Sequence, residues 1–157
     1  MSVSELFNIA NLFVLPFWVL MIFLPKWKVT QGIMKSYVPF VPLAGLYLYL
    51  FISSVTPENA EALSNPQLAD IAKFFGDETA AATGWIHFLV MDLFVGRYIY
   101  LAGVKTGVWT FHSLALCLFA GPLGLLSHIF TYWISQALSS PESIQNTTSD
   151  TTSPTST

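Results

Sequence analysis

The chain has 157 residues, a mean hydropathy of +0.59 and a net charge of −3, with 54% hydrophobic and only 10% charged residues. A water-soluble domain of this size carries roughly 25% charged residues, so the composition excludes a water-facing globule and reads as a single integral membrane domain. The small negative charge argues against a nucleic-acid partner, and the lone Cys117, inside an apolar run, reads as a small buried hydrophobe with no internal disulfide.

Spanning a bilayer takes about 20 mostly apolar residues. Taken in chain order, stretches at about Leu6 to Leu24, Val38 to Val55, Ala80 to Leu101 and Val108 to Ile134 meet that length. The first lacks a basic flank and a small-residue cleavage site and reads as a retained anchor. Pro16, Pro39, Pro42 and Pro122 lie within these stretches, where neighbouring helices satisfy the carbonyls that a proline frees. The expected fold is all-α: a four-transmembrane-helix bundle over residues 1–138, a short interfacial helix in the outer loop, and a disordered Ser/Thr-rich tail over residues 139–157. Within the tail, Asn146-Thr147-Thr148 matches a glycosylation acceptor in form alone.

The loops give an orientation. Lys26, Lys28 and Lys35 join the first two stretches and Lys105 joins the last two, whereas the middle connection holds Glu58, Glu61, Asp70, Asp77 and Glu78 against Lys73. The positive-inside rule puts the basic loops on the cytoplasmic or stromal side and, with four spans, both termini on the periplasmic or lumenal side. Trp27, Tyr98, Tyr100 and Trp109 then form an inner aromatic belt; Trp85, Tyr132 and Trp133 form an outer one. In the acidic loop, Asn65 as cap, Pro66 at the first helical position and Gly76 as terminator bracket a short helix. Leu68, Ile71, Ala72 and Phe75 would form its apolar face.

Each charge at a helix centre costs roughly 2.5–3.5 kcal/mol to insert, so it is expected to pair or face a cavity. The third stretch carries three polar residues, His87, Asp92 and Arg97, spaced by five. Successive members are rotated about 140° apart, so each must meet a different partner. With the last two stretches drawn as an antiparallel hairpin, Asp92 lies level with Phe119 and Gly121. Arg97 then snorkels near His112, and His87 lies level with Gly124, with His128 one turn further out. A hairpin of the first two stretches brings Asn8 and Asn11 level with Ser53 and Ser54. The sum is an outer polar pocket floored by Asp92. The alternative for the Asn and Ser residues is interhelical hydrogen bonding, and for Gly121-Pro122-Leu123-Gly124 a kink that lets helices approach.

The segments WIHFLVMDLFVGRYIYL (Trp85 to Leu101), LCLFAGPLGLLSH (Leu116 to His128) and ANLFVLPFWVLMIFLPKWKVT (Ala10 to Thr30) together resemble the abscisic-acid-deficient-four family of plant plastids and photosynthetic bacteria. The resemblance rests on His87, Asp92, Gly96-Arg97 and Gly121-Pro122-Leu123-Gly124 at these spacings. Met91 and Ala102 depart from the aromatic and acidic residues often found there. Plant members are implicated in forming neoxanthin from violaxanthin, so the resemblance implies carotenoid (xanthophyll) metabolism in a thylakoid, plastid or bacterial inner membrane. A bacterial member would act on or bind another carotenoid.

The implied activity is a neoxanthin-synthase-like isomerisation, opening a 5,6-epoxide end group to an allenic alcohol. That step needs an acid for the epoxide oxygen and a base for a proton on the adjoining carbon, and Asp92 and His87 are the candidates. Asn8, Asn11, Ser53, Ser54, Gly121, Gly124 and His128 are candidates for binding the carotenoid; Gly96, Arg97 and Pro122 for structure or ion pairing. Neither a metal nor a cofactor is expected. A non-catalytic carotenoid-binding or assembly protein is the alternative, with Tyr47, Tyr49, Phe51, Phe88 and Phe94 along the polyene. A bis-histidine haem on His87 and His128 and a transporter are less favoured.

Overall fold

A computed structural model describes residues 1–57, 60 and 64–139. Glu58, Glu61 and the tail from 140 onward, with its Asn146 triplet, lie outside the described residues. The described residues form helices α1 (Val3–Phe23), α2 (Lys28–Lys35), α3 (Phe40–Ser54), α4 (Leu68–Phe74), α5 (Glu78–Thr106), α6 (Phe111–Phe119) and α7 (Gly121–Ser139), and no strand. Three stretches, Val3–Phe23, Lys28–Ser54 and Glu78–Thr106, are long and apolar enough to cross a membrane. Their outward faces are as apolar as the core: Leu12 is 69% and Val41 68% exposed. Helices that are hydrophobic all round belong in lipid.

α1 opens with a reciprocal cap, in which the Glu5 N–H donates to Ser2 Oγ (3.2 Å) and the Ser2 N–H to Glu5 Oε2 (2.8 Å). Its inner face, Ala10, Val14, Trp18 and Met21, recurs at helical spacing and packs on α5. α5 is the axis of the bundle and packs against α1, α2, α3, α6 and α7. It runs parallel to α1, with Phe7 beside Trp85 and Pro25 beside Tyr100. It runs antiparallel to α3, with Tyr47 beside His87 and Phe40 beside Phe94. The expected hairpin of the first two stretches is therefore not a packing unit. α1 and α3 each lie along α5; α1 approaches closely because Gly96 lets Trp18 close onto α5, where a Cβ would stand 2.5 Å from the Trp18 ring.

The fourth expected span is a different object. α6 ends at Ala120, whose extended backbone (φ −160, ψ 103) breaks the helix, and α7 starts at Gly121-Pro122 and doubles back. Ser113 Oγ meets Ser127 Oγ at 3.1 Å and His112 Nε2 meets Thr131 Oγ1 at 2.8 Å, across an antiparallel helical hairpin. A Cβ on Gly124 would stand 2.6 Å from Cys117 Cα, so glycine is what lets the two arms close. α6 rises along α5 to the level of Asp92. α7 then descends parallel to α5, bringing His128 beside Tyr98 and its C-terminal end toward the Gly107 turn.

α4 also differs from expectation. Gln67, not Asn65, stands at its N-cap, and the helix begins at Leu68, which is 87% exposed. The buried side chain is Phe74 rather than Leu68 or Ala72.

Candidate functional site

Two opposite faces of α5 carry the polar residues. Asp77 caps the helix, its Oδ1 accepting from the Ala80 N–H at 3.0 Å. Beyond it, Ala80, Thr83, Gly84, His87 and Phe88 form one stripe at helical spacing. This stripe, with Tyr47 and Phe51 of α3 and Phe74 and Phe75 at the end of α4, lines a pocket of about 190 Å³. The His87 ring lies 5.6 Å from Tyr47, and Tyr47 stacks on Phe51 at 5.7 Å. A Cβ on Gly84 would stand 2.5 Å from Phe75 Cε1, so Gly84 allows the Phe75 ring to roof the pocket. His87 is exposed, and its ring nitrogens have no hydrogen-bond partner among the described residues.

The other face presents Trp85, Leu89, Asp92 and Gly96, which fall within about 60° of one another around the helix. Here Trp85 Nε1 donates to Asn11 Oδ1 at 2.9 Å, while Asn11 Nδ2 donates to the Phe7 carbonyl at 2.8 Å. Asn8, Asn11, Trp18, Trp85, Leu89 and Leu118 are among the residues lining a lateral groove of about 410 Å³ between α1, α5 and α6. Further along, Asp92 Oδ1 accepts from the Gly121 backbone N–H at 3.1 Å, and Cys117 Sγ donates to the Asp92 carbonyl at 3.4 Å. A carboxylate at the first N–H of a 19-residue helix meets both an unsatisfied donor and the positive end of the helix dipole. This answers the insertion problem posed by Asp92.

Of the expected cluster, the fold brings together Asp92 and Gly121, with Gly124 and Pro122 in the same turn. It does not bring His87 to Asp92, because they leave α5 in opposed directions. Ser53 and Ser54 hydrogen-bond within α3, to the carbonyls of Tyr49 (2.8 Å) and Phe51 (2.9 Å). His128 lies beside Tyr98, eleven residues along α5 from His87, about 16 Å at 1.5 Å per residue. The hairpin reversal carries it to the other half of the bundle, which removes it from the outer pocket and from any iron shared with His87. Arg97 spans to the end of α2: Nε donates to the Met34 carbonyl and Nη2 to that of Lys35 (3.4 Å), with the guanidinium 4.8 Å over the Tyr37 ring.

The sequence reading missed a polar seam inside the hairpin. The Thr131 hydroxyl donates to the Ser127 carbonyl at 2.8 Å, so in its contact with His112 it accepts, and His112 Nε2 carries the proton. The Nδ1 atoms of His112 and His128 are buried without a partner among the described residues. The signal was present as His112-Ser113 and Ser127-His128 with Thr131 four beyond Ser127, but it pairs only once the chain folds back.

An all-helical bundle with three membrane-length stretches, an aromatic pocket at one end and a carboxylate-tied hairpin inside defines a helical membrane protein. The chain belongs to the ABA DEFICIENT 4-like family, whose model matches residues 5–128, from the start of α1 to His128. It is 41% identical over 133 residues to Protein ABA DEFICIENT 4, chloroplastic, of Arabidopsis thaliana, an alignment covering 82% of this chain and 60% of that protein. The chain thus spans about three fifths of that relative's length. No solved structure matches it.

Proposed function

We propose that the protein serves xanthophyll metabolism in a thylakoid or related photosynthetic membrane by seating the oxygenated end ring of a carotenoid in the α3–α4–α5 pocket. The observation that carries this reading is the pocket's chemistry. Aromatic rings from Tyr47, Phe51, Phe74, Phe75 and Phe88 surround one imidazole whose nitrogens are free. A half-open, largely aromatic pocket with an imidazole on its wall suits a cyclic end group bearing one oxygen. The polyene would run from there down the apolar outer faces of α3 and α5, past Phe94. Membership of the family supports a carotenoid as the substrate class. In this reading the lipid bilayer and a carotenoid are the partners, and Asn11 and Asp92 tie the helices.

The membrane arrangement that accompanies it has three spans and a re-entrant hairpin. Lys26, Lys28, Lys35 and Lys105 face the stroma or cytoplasm, α4 lies on the opposite surface, and α7 ends on the basic side. The N-terminus is then lumenal or periplasmic.

A second reading, isomerisation, is favoured by the position of His87. Opening an epoxide to an allenic alcohol moves a proton from carbon to oxygen with no net redox change. One imidazole can take the first proton and deliver it to the alkoxide. Purified full-length protein incubated with a xanthophyll epoxide separates the readings. Pigment retained unchanged by the wild type and lost in His87→Ala supports binding, and conversion lost in His87→Ala supports isomerisation. Retention and turnover both unaffected by His87→Ala would refute the pocket assignment.

A further inference from the structure

A cavity of about 550 Å³, larger than either pocket above, lies at the opposite, basic end of the bundle. Its walls come from the end of α1, the loop to α2, the end of α5 and the α5–α6 turn. One side is apolar, with Met21, Ile22, Phe111 and Leu114; the mouth carries Lys26, Gln31 and Thr110. The frame is built rather than loose. The Tyr100 hydroxyl donates to the Pro25 carbonyl at 2.6 Å and the Thr30 hydroxyl to the Leu24 carbonyl at 2.9 Å, fixing the loop on both sides of Lys26. On the far wall, Gly107 takes the left-handed conformation (φ 73) that closes the turn. A Cβ on Gly103 would stand 3.0 Å from the Val108 carbonyl, so glycine lets Thr110 lie against α5.

Charge is segregated along the bundle. Lys26, Lys28, Lys35, Lys105 and Arg97 gather at this end. Every described carboxylate except Asp92 belongs to the other end: Glu5, Asp70, Asp77 and Glu78. Among the described residues, the Lys26 ammonium, the Gln31 amide and the Thr110 hydroxyl have no protein partner. Trp27 and Trp109, 50% and 69% exposed, flank the mouth at the level where indole rings sit in a membrane interface.

We infer that this cavity is a binding site for an anionic membrane lipid, independent of the xanthophyll reading. The phosphate or sulfonate headgroup sits against Lys26, Gln31 and Thr110, and an acyl chain lies along Met21, Phe111 and Leu114. An ammonium with two neutral donors recognises a single anionic oxyacid group, and the apolar wall leads from it into the hydrocarbon.

Native mass spectrometry of the full chain in mild detergent, given equal amounts of phosphatidylglycerol and an uncharged galactosyl diacylglycerol that has no phosphate, tests this. The expected result is one phosphatidylglycerol retained per chain, preferred about tenfold, the ratio one charge-assisted hydrogen bond commands. Lys26→Gln should erase the preference, while Lys73→Gln at the acidic end should leave it unchanged. Equal retention of the two lipids by the wild type, or an unaltered preference in Lys26→Gln, overturns the site. Displacement of the lipid by millimolar inorganic phosphate makes it a free-anion site and overturns the lipid assignment. If Lys26→Gln does not fold, the wild-type comparison and Thr110→Val, expected to weaken the preference, decide.

Discussion

The carboxylate of Asp92, midway along α5, accepts the backbone N–H of Gly121, the first residue of α7. The bond ties the tip of the α6–α7 hairpin to the centre of the bundle. Asp92→Ala orphans that N–H and removes the charge facing the helix dipole, an expected loss of about 2–4 kcal/mol. Asp92→Asn keeps an acceptor oxygen, and about 1 kcal/mol should suffice for the lost charge. Unfolding in detergent micelles measures both. If Asp92 is instead the acid of an isomerisation, Asp92→Asn loses turnover at nearly unchanged stability.

The hairpin closes through two glycines that differ in what stands opposite. At Gly124 the obstacle is the backbone of Cys117, which cannot move aside; at Gly121 it is the Asp92 side chain, which can rotate. Gly124→Ala should therefore cost about 1–3 kcal/mol by overpacking, whereas Gly121→Ala turns the Asp92 carboxylate off the Gly121 N–H and should cost about 2–4 kcal/mol, as the loss of that bond does. Thermal unfolding of the two variants side by side checks both costs.

In the proposed membrane arrangement the fold-back returns the end of α7 to the basic side. Cys117 is fully buried and hydrogen-bonded, so the wild type gives little background with a membrane-impermeant thiol reagent. In sealed vesicles, Ser139→Cys and Lys105→Cys should label from one face and Ser2→Cys from the other. Labelling of Ser139→Cys together with Ser2→Cys would restore a fourth crossing.

Arg97 satisfies the carbonyls of Met34 and Lys35 at the C-terminal turn of α2 while covering Tyr37. A lysine cannot fork to both carbonyls. Arg97→Lys should cost about 1 kcal/mol and Arg97→Ala about 2–3 kcal/mol, read by micelle unfolding.

Gly84 sets the depth of the aromatic pocket, because any side chain there meets Phe75. Gly84→Val should displace the roof and reduce carotenoid retention several-fold, with helix content by circular dichroism unchanged. Retention equal to wild type would show that the Phe75 roof does not hold the pigment.

Local chemistry was enough to read much of this protein from its residues. The long apolar stretches, the basic and acidic ends and the separate partners of Asp92 and Arg97 follow from side-chain polarity and the 100° helical step. The level of Asp92 with Gly121 follows too, because two segments joined by a short turn share depth near that turn.

What the tertiary structure alone decided is the course after Gly121. An apolar run with Gly-Pro in its middle has the same composition whether it kinks and continues or breaks and returns, so hydropathy cannot separate the two. The choice lies in contacts between residues distant in sequence: Gly124 against Cys117, Ser127 against Ser113, Thr131 against His112 and the Asp92 cap. Those same contacts move His128 away from His87. The aromatic pocket was equally hidden, since Phe74 and Phe75 reach His87 only once α4 folds over α3 and α5.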